Sequence, residues 1–239
     1  MPTRHLEPDD RAPRFLDSEA VRFFGDEEFD QAYPEPVQKL SRIHWTPVEV
    51  GRQAARFLVT QPGTRVLDIG CGPGKFCAVG AATTEGHFTG VEQRERLVAT
   101  ARRMLRSYRI PRVEIIHANV MEVSFQMFDA FYIYNPFQEN VFPTLCIDSD
   151  VELQPKLYST YSDYVCEQLS LAPIGTRVVT YWGNCAEIPL GYVCKRVACD
   201  EKLRFWIKRR NAPAVLSSEA ALDSLRDRIA MGACGLGYA

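Results

Sequence analysis

Hydrophobic positions along this chain switch repeatedly between two periods. After Thr46-Pro47, apolar residues recur at helical spacing, with Val48, Ala54, Ala55, Phe57 and Leu58 sharing part of one face. Thr46 is the expected N-cap of that helix and Pro47 its first residue. Gln61-Pro62-Gly63 stops it. A short apolar run over 64–69 reads as a strand, entering a glycine-rich turn and a helix over 75–82. The alternation continues with a strand over 88–91, a helix over 94–108 and strands over 113–117 and 128–134. A helix over 157–171 and a strand over 177–182 follow. Two last runs, 192–199 and 203–209, flank Asp200-Glu201 and predict a β-hairpin.

Strands alternating with helices predict an α/β fold: a mainly parallel seven-stranded sheet, helices on both faces and a C-terminal antiparallel β-hairpin at one edge. Residues 1–43, rich in proline and charge, read as a loosely packed arm or cap with one apolar-periodic stretch around 15–29. Residues 44–210 form the expected domain. Residues 211–239 form a tail whose segment SSEAALDSLRDRIA predicts a capped helix.

Composition narrows the classes only a little. The formal net charge of -2 gives no basic surplus of the kind that supplies phosphate affinity, although a local patch is not excluded. Arginines 94, 96, 102, 103, 106, 109 and 112 read as a solvated helix face rather than a polyanion site. The eight cysteines include no C-x-x-C pair, and the four histidines have no metal-ligand spacing, so no metal site is expected. The N-terminus has no apolar signal core, and no apolar run approaches the roughly 18 residues of a membrane span. The expectation is a cytoplasmic protein whose thiols are reduced and mostly small core residues.

The sharpest motif is VLDIGCGPGKF, from Val66 to Phe76. A buried strand delivers Asp68 to its carboxyl end, and Gly70, Gly72 and Gly74 permit a tight turn and close approach of a ligand to bare backbone. The third glycine comes one residue earlier than in the dinucleotide-binding G-x-G-x-x-G pattern. A carboxylate at Asp68 repels a pyrophosphate and attracts a cationic amino-acid ligand. Glu92, some twenty residues beyond the turn at the end of the second strand, suits the two hydroxyls of a ribose. Each has a plainer reading: a simple loop, or a solvated strand-end acid.

From Asp68 through Glu92 the chain resembles the class I S-adenosylmethionine-dependent methyltransferases, whose fold is Rossmann-like. The resemblance implies S-adenosylmethionine as cofactor, with Gly70, Cys71, Gly72 and Gly74 around its methionine part and Asp68 holding it directly or through water. It places Glu92 on the ribose and Gln93 beside the adenine. Asn119 and Val120 follow the third strand, where such enzymes commonly carry an acidic residue that meets the adenine amino group. It also implies that Thr46 reaches the cofactor carboxylate.

Tyr134-Asn135-Pro136-Phe137, closing the fourth strand, resembles the Asn/Asp-Pro-Pro-aromatic motif of amino-group methyltransferases, with one proline missing. The likeness implies that Asn135 accepts hydrogen bonds from a target nitrogen and that Phe137 packs on the target's planar group. Alternation sends Tyr132 and Tyr134 to one face of the sheet and Phe131 and Ile133 to the other, so Tyr134 is a site-lining candidate. Trp182 either helps form the substrate pocket or covers core. A fainter likeness, to the non-SET histone lysine methyltransferases, rests on the glycine turn, Gly90-Val91-Glu92 and a strand ending in Asn and Phe. The acceptor stays open among protein, nucleic-acid base and small molecule, and so does the oligomeric state. The N-terminal arm and the loop 137–157 are a possible lid over the acceptor. The rivals are a NAD-dependent dehydrogenase and a non-catalytic module that binds S-adenosylmethionine.

Overall fold

The computed structural model describes residues 25–211. Its elements are α1 (Asp26–Asp30), α2 (Glu35–Gln38), α3 (Ser41–His44), α4 (Val48–Leu58), β1 (Arg65–Ile69), α5 (Lys75–Thr83), β2 (His87–Glu92), α6 (Glu95–Ser107), β3 (Val113–His117), β4 (Ala130–Ile133), α7 (Pro155–Leu171), β5 (Arg177–Tyr181), β6 (Tyr192–Ala198) and β7 (Leu203–Lys208). One seven-stranded sheet runs in the order β3-β2-β1-β4-β5-β7-β6. The first five strands are parallel, and the β6–β7 hairpin adds antiparallel strands beyond β5. This is the α/β architecture that the patterning predicts. The predicted helix over 217–230 and the stretch before residue 25 lie outside the described residues.

Alternation along the strands builds two cores. Val66, Tyr132 and Val179 face one side, against α4, α5 and α6. Leu67, Phe131, Ile133 and Val178 face the other, against α7 and the turns that precede β4. Tyr132 and Tyr134 share a face as expected, Tyr134 packing against the first core.

Several expectations need correction. Thr46 does not cap α4: Pro47 occupies the cap position. The Thr46 hydroxyl shares a 3.0 Å hydrogen bond with the Tyr132 hydroxyl. The first turn of α4 is satisfied instead by Asp26, whose Oδ1 accepts the Val48 N–H at 2.8 Å. Where a loosely packed arm was expected, residues 25–43 pack closely on the domain, with Tyr33 and Val37 in the first core. Lys75, buried at the start of α5, fixes them: its ammonium lies 2.8 Å from Asp26 and 2.7 Å from Asp30. The thiols are not mostly core. Among the described residues only Cys71 and Cys77 are buried, and all seven described are free.

The last strand also closes a helix. The buried Lys208 ammonium donates to the carbonyls of Leu169, Ser170 and Ala172, satisfying the end of α7 where a cation is favoured. No helix among the described residues is long and apolar enough to cross a membrane.

Candidate functional site

Parallel strands expose their carboxyl ends on one edge of a sheet, and ligands of open α/β folds gather there. Here the ends of β1, β2 and β4 open on one cleft lined by Gly70, Gly72, Glu92, Gln93, Asn119, Val120, Tyr134, Asn135, Pro136 and Phe137. All ten are residues that the sequence singles out. Five others do not line it: Thr46, Asp68, Cys71, Gly74 and Trp182.

The turn after β1 works because two of its glycines have neighbours where a Cβ would stand. Gly70 (φ +73°) would place one 2.5 Å from the Pro136 Cβ, and Gly72 (φ +54°) would place one 2.7 Å from the Trp45 ring. Both adopt the left-handed conformation that glycine takes without strain.

Glu92 is buried at the end of β2. Its Oε2 accepts the Gly72 N–H at 3.1 Å and its Oε1 accepts the Arg94 N–H at 2.8 Å. Burial raises its pKa, opposed by these backbone donors and by the Arg94 charge. The carboxylate thus ties the glycine turn to the start of α6, and its oxygens keep lone pairs for a further donor.

Arg94, read in the sequence as part of a solvated face, is 4% exposed. Its guanidinium donates to Glu139 and Asp148, each at 2.9 Å. Burial opposes its charge, but Glu139, Asp148 and Glu92 outweigh that and raise its pKa. Arg96, Arg102, Arg103, Arg106, Arg109 and Arg112 are exposed as expected. The segment between β4 and α7 is therefore anchored: Glu139 Oε2 also accepts the Ile147 N–H at 2.8 Å.

Asp68 sits beneath the turn, 3% exposed, and accepts from the Cys77 thiol at 3.5 Å. Burial pushes its pKa up to about 8, so near neutrality it is mostly protonated here. The charge attraction expected from the sequence is not available to it in this state. Asn119 is also engaged. Its side-chain oxygen accepts the Met121 N–H at 3.0 Å, capping a 3-10 turn, and its amide donates to the Tyr161 hydroxyl at 3.0 Å.

Asn135 differs from these. It leaves β4 with φ +43° and is half-buried, and among the described residues its side-chain amide has no hydrogen-bond partner. Beside it, the Tyr134 hydroxyl donates to the Ile43 carbonyl at 2.8 Å. Phe137 is 7% exposed and tilts against Tyr161 at 5.2 Å, within the second core.

His44, Trp45, Glu139, Leu145, Ile147 and Tyr161 also line the cleft; sequence reasoning named none of them individually, although Glu139, Leu145 and Ile147 belong to the loop read as a lid. Thr46-Pro47, which follows the first two directly, was a partial signal for them. Burial and the Arg94 charge lower the His44 pKa, favouring the neutral imidazole. Among the described residues no three or more His, Cys, Asp or Glu side chains are grouped so as to hold a metal ion.

The arrangement offers a glycine turn open at Gly70, a carboxylate at the end of the adjacent strand and an unpartnered amide on the next. That set can hold an amino-acid-bearing nucleoside and present a second molecule to it. Residues 66–144 match the family model of a methyltransferase domain, about a third of the chain. Demethylmenaquinone methyltransferase of Listeria welshimeri is 32% identical over 76 residues, 31% of this chain and 32% of that protein. The Bacillus cereus enzyme of the same name is 26% identical over 77 residues, with the same shares. The chain thus spans about a third of the length of the curated relatives it matches. The crystal structure of TrmN from Thermus thermophilus has the same fold, with a TM-score of 0.52 and 17% identity, over 71% of this chain and 51% of that one.

Proposed function

We propose that this chain is an S-adenosylmethionine-dependent methyltransferase that transfers a methyl group to an amino or amide nitrogen. The observation that carries this reading is the convergence on one cleft of the Gly70–Gly72 turn, the Glu92 carboxylate and the unpartnered Asn135 amide. The methyltransferase-domain match over 66–144 covers the same three strand ends.

The residues present fit the cofactor. The turn, open to the cleft at Gly70 and lining it at Gly72, takes its methionine part, and the remaining lone pairs of Glu92 accept from the ribose hydroxyls. Gln93, Asn119 and Val120 flank the adenine. Thr46, Asp68, Cys71 and Gly74 support this surface from behind, by holding β4, α5 and the turn. The cofactor supplies a methyl group on a sulfonium, a good leaving group. The protein's own work is then to orient and to exclude water. Asn135 Oδ1 accepts a hydrogen bond from the target nitrogen, aiming its lone pair into the cleft. Tyr134 and Pro136 fix the backbone on either side of it.

A dehydrogenase is the weaker account, because the turn has the shorter G-x-G-x-G spacing and the sheet ends in an antiparallel hairpin.

The test is transfer of label from methyl-tritiated S-adenosylmethionine to amine, amide and nucleoside acceptors. Asn135→Ala should lower transfer about 100-fold while leaving the affinity for S-adenosylhomocysteine close to that of the wild type. A variant that transfers as fast as the wild type would remove Asn135 from the mechanism.

A further inference from the structure

Resting on the methyltransferase reading, we propose that Trp182 is the platform on which the acceptor lies, so that the substrate class is a planar aromatic or heteroaromatic amine. A flat acceptor needs an exposed ring beside the group that orients its nitrogen. Phe137, the expected ring, lines the cleft but is only 7% exposed, packed against Tyr161 in the second core.

The next strand provides another. β4 and β5 pair in parallel with Ile133 opposite Thr180. The Tyr134 and Tyr181 rings that follow lie 4.7 Å apart, and Asn135 and Trp182 come next on the two strand ends. Both residues leave their strands in the left-handed region, at φ +43° and +58°. That conformation is rare for a bulky residue and recurs at ligand sites. Gly183 (φ +82°) follows so closely that a Cβ there would stand 3.1 Å from Asn135 Oδ1. The loop after β5 is therefore packed against the unpartnered amide.

Trp182 is 43% exposed and belongs to neither core. It is nonetheless held. Its backbone N–H donates to the Lys202 carbonyl at 2.8 Å, and the Tyr181 ring meets its ring edge-on at 6.4 Å. The Lys202 ammonium lies 4.3 Å from the ring centroid. One face is thus taken by a cation, leaving the other for a stacked partner. A ring under a cation favours an electron-rich partner, and an aromatic amine is one.

The test is calorimetry on the full chain, with and without S-adenosylhomocysteine, using adenosine and 1-naphthylamine as flat aromatic probes and N-acetylglutamine amide as a non-aromatic one. The expected result is binding of a flat probe, weakened about tenfold or more in Trp182→Ala and largely kept in Trp182→Phe. The Phe variant keeps the test decisive if the Ala variant folds poorly. Failure of both flat probes to bind, equal binding of the glutamine amide, or undiminished binding by Trp182→Ala would overturn the proposal. Binding of S-adenosylhomocysteine itself is read separately in the same titrations. Its loss counts against the methyltransferase reading, whereas a change confined to the flat probes concerns Trp182 alone.

Discussion

Gly70 and Pro136 meet so closely that a Cβ on Gly70 would lie 2.5 Å from the proline Cβ. The contact joins the turn after β1 to the Asn-Pro-Phe segment after β4, two motifs 66 residues apart in the chain. The two halves of the proposed site are therefore one packed unit. Gly70→Ala adds a side chain at φ +73° and pushes Pro136 away from its place. The left-handed strain alone costs about 1–3 kcal/mol, and the clash adds to it. Urea unfolding should show a loss of at least that size, with cofactor affinity reduced. An unchanged midpoint would mean that the turn and Pro136 can separate freely.

Asp68 predicts a pH dependence of stability. Its folded-state pKa, about 8, lies above the roughly 4 of an unfolded aspartate. Between these values the folded protein keeps a proton that the unfolded chain releases, so stability falls as pH rises through this window and levels off above it. Asp68→Asn removes the titration. The melting temperature of the variant minus that of the wild type should increase from about pH 5 to about pH 8.5. Parallel curves would show that the carboxyl is not desolvated as described.

Lys75 predicts how residues 25–43 are held. Its buried ammonium meets Asp26 and Asp30, and Asp26 in turn caps α4. Lys75→Met leaves Asp30, 15% exposed at its side chain, without its cation. A loss of about 3 kcal/mol in unfolding free energy is expected, together with faster proteolysis between residues 25 and 47. A Met variant as stable and as resistant as the wild type would show that these helices dock through their apolar contacts alone.

The sheet was legible because its signal is local. Strands such as VLDI and AFYI are short, mostly apolar runs, and the Asp200-Glu201 hairpin is marked by flanking apolar runs. The alternation of Phe131, Tyr132, Ile133 and Tyr134 also followed from period alone. What failed depended on partners far away in sequence. Thr46 looks like a cap, yet its hydroxyl meets Tyr132, 86 residues on. Arg94 looks like one of seven exposed arginines, yet Glu139 and Asp148 bury it from 45 and 54 residues away. Phe137 does line the cleft, as its motif position implies, but Tyr161 on α7, which packs against it, carried no such signal.

The most direct test of the account is calorimetric titration with S-adenosylmethionine and S-adenosylhomocysteine, with NAD as control, on the wild type and Glu92→Ala. The account predicts micromolar-range binding of the first two, no binding of NAD, and a loss of about tenfold or more in the variant, the weight of a hydrogen bond to a charged group. Failure of both to bind the folded wild type, or tighter binding of NAD, would contradict it.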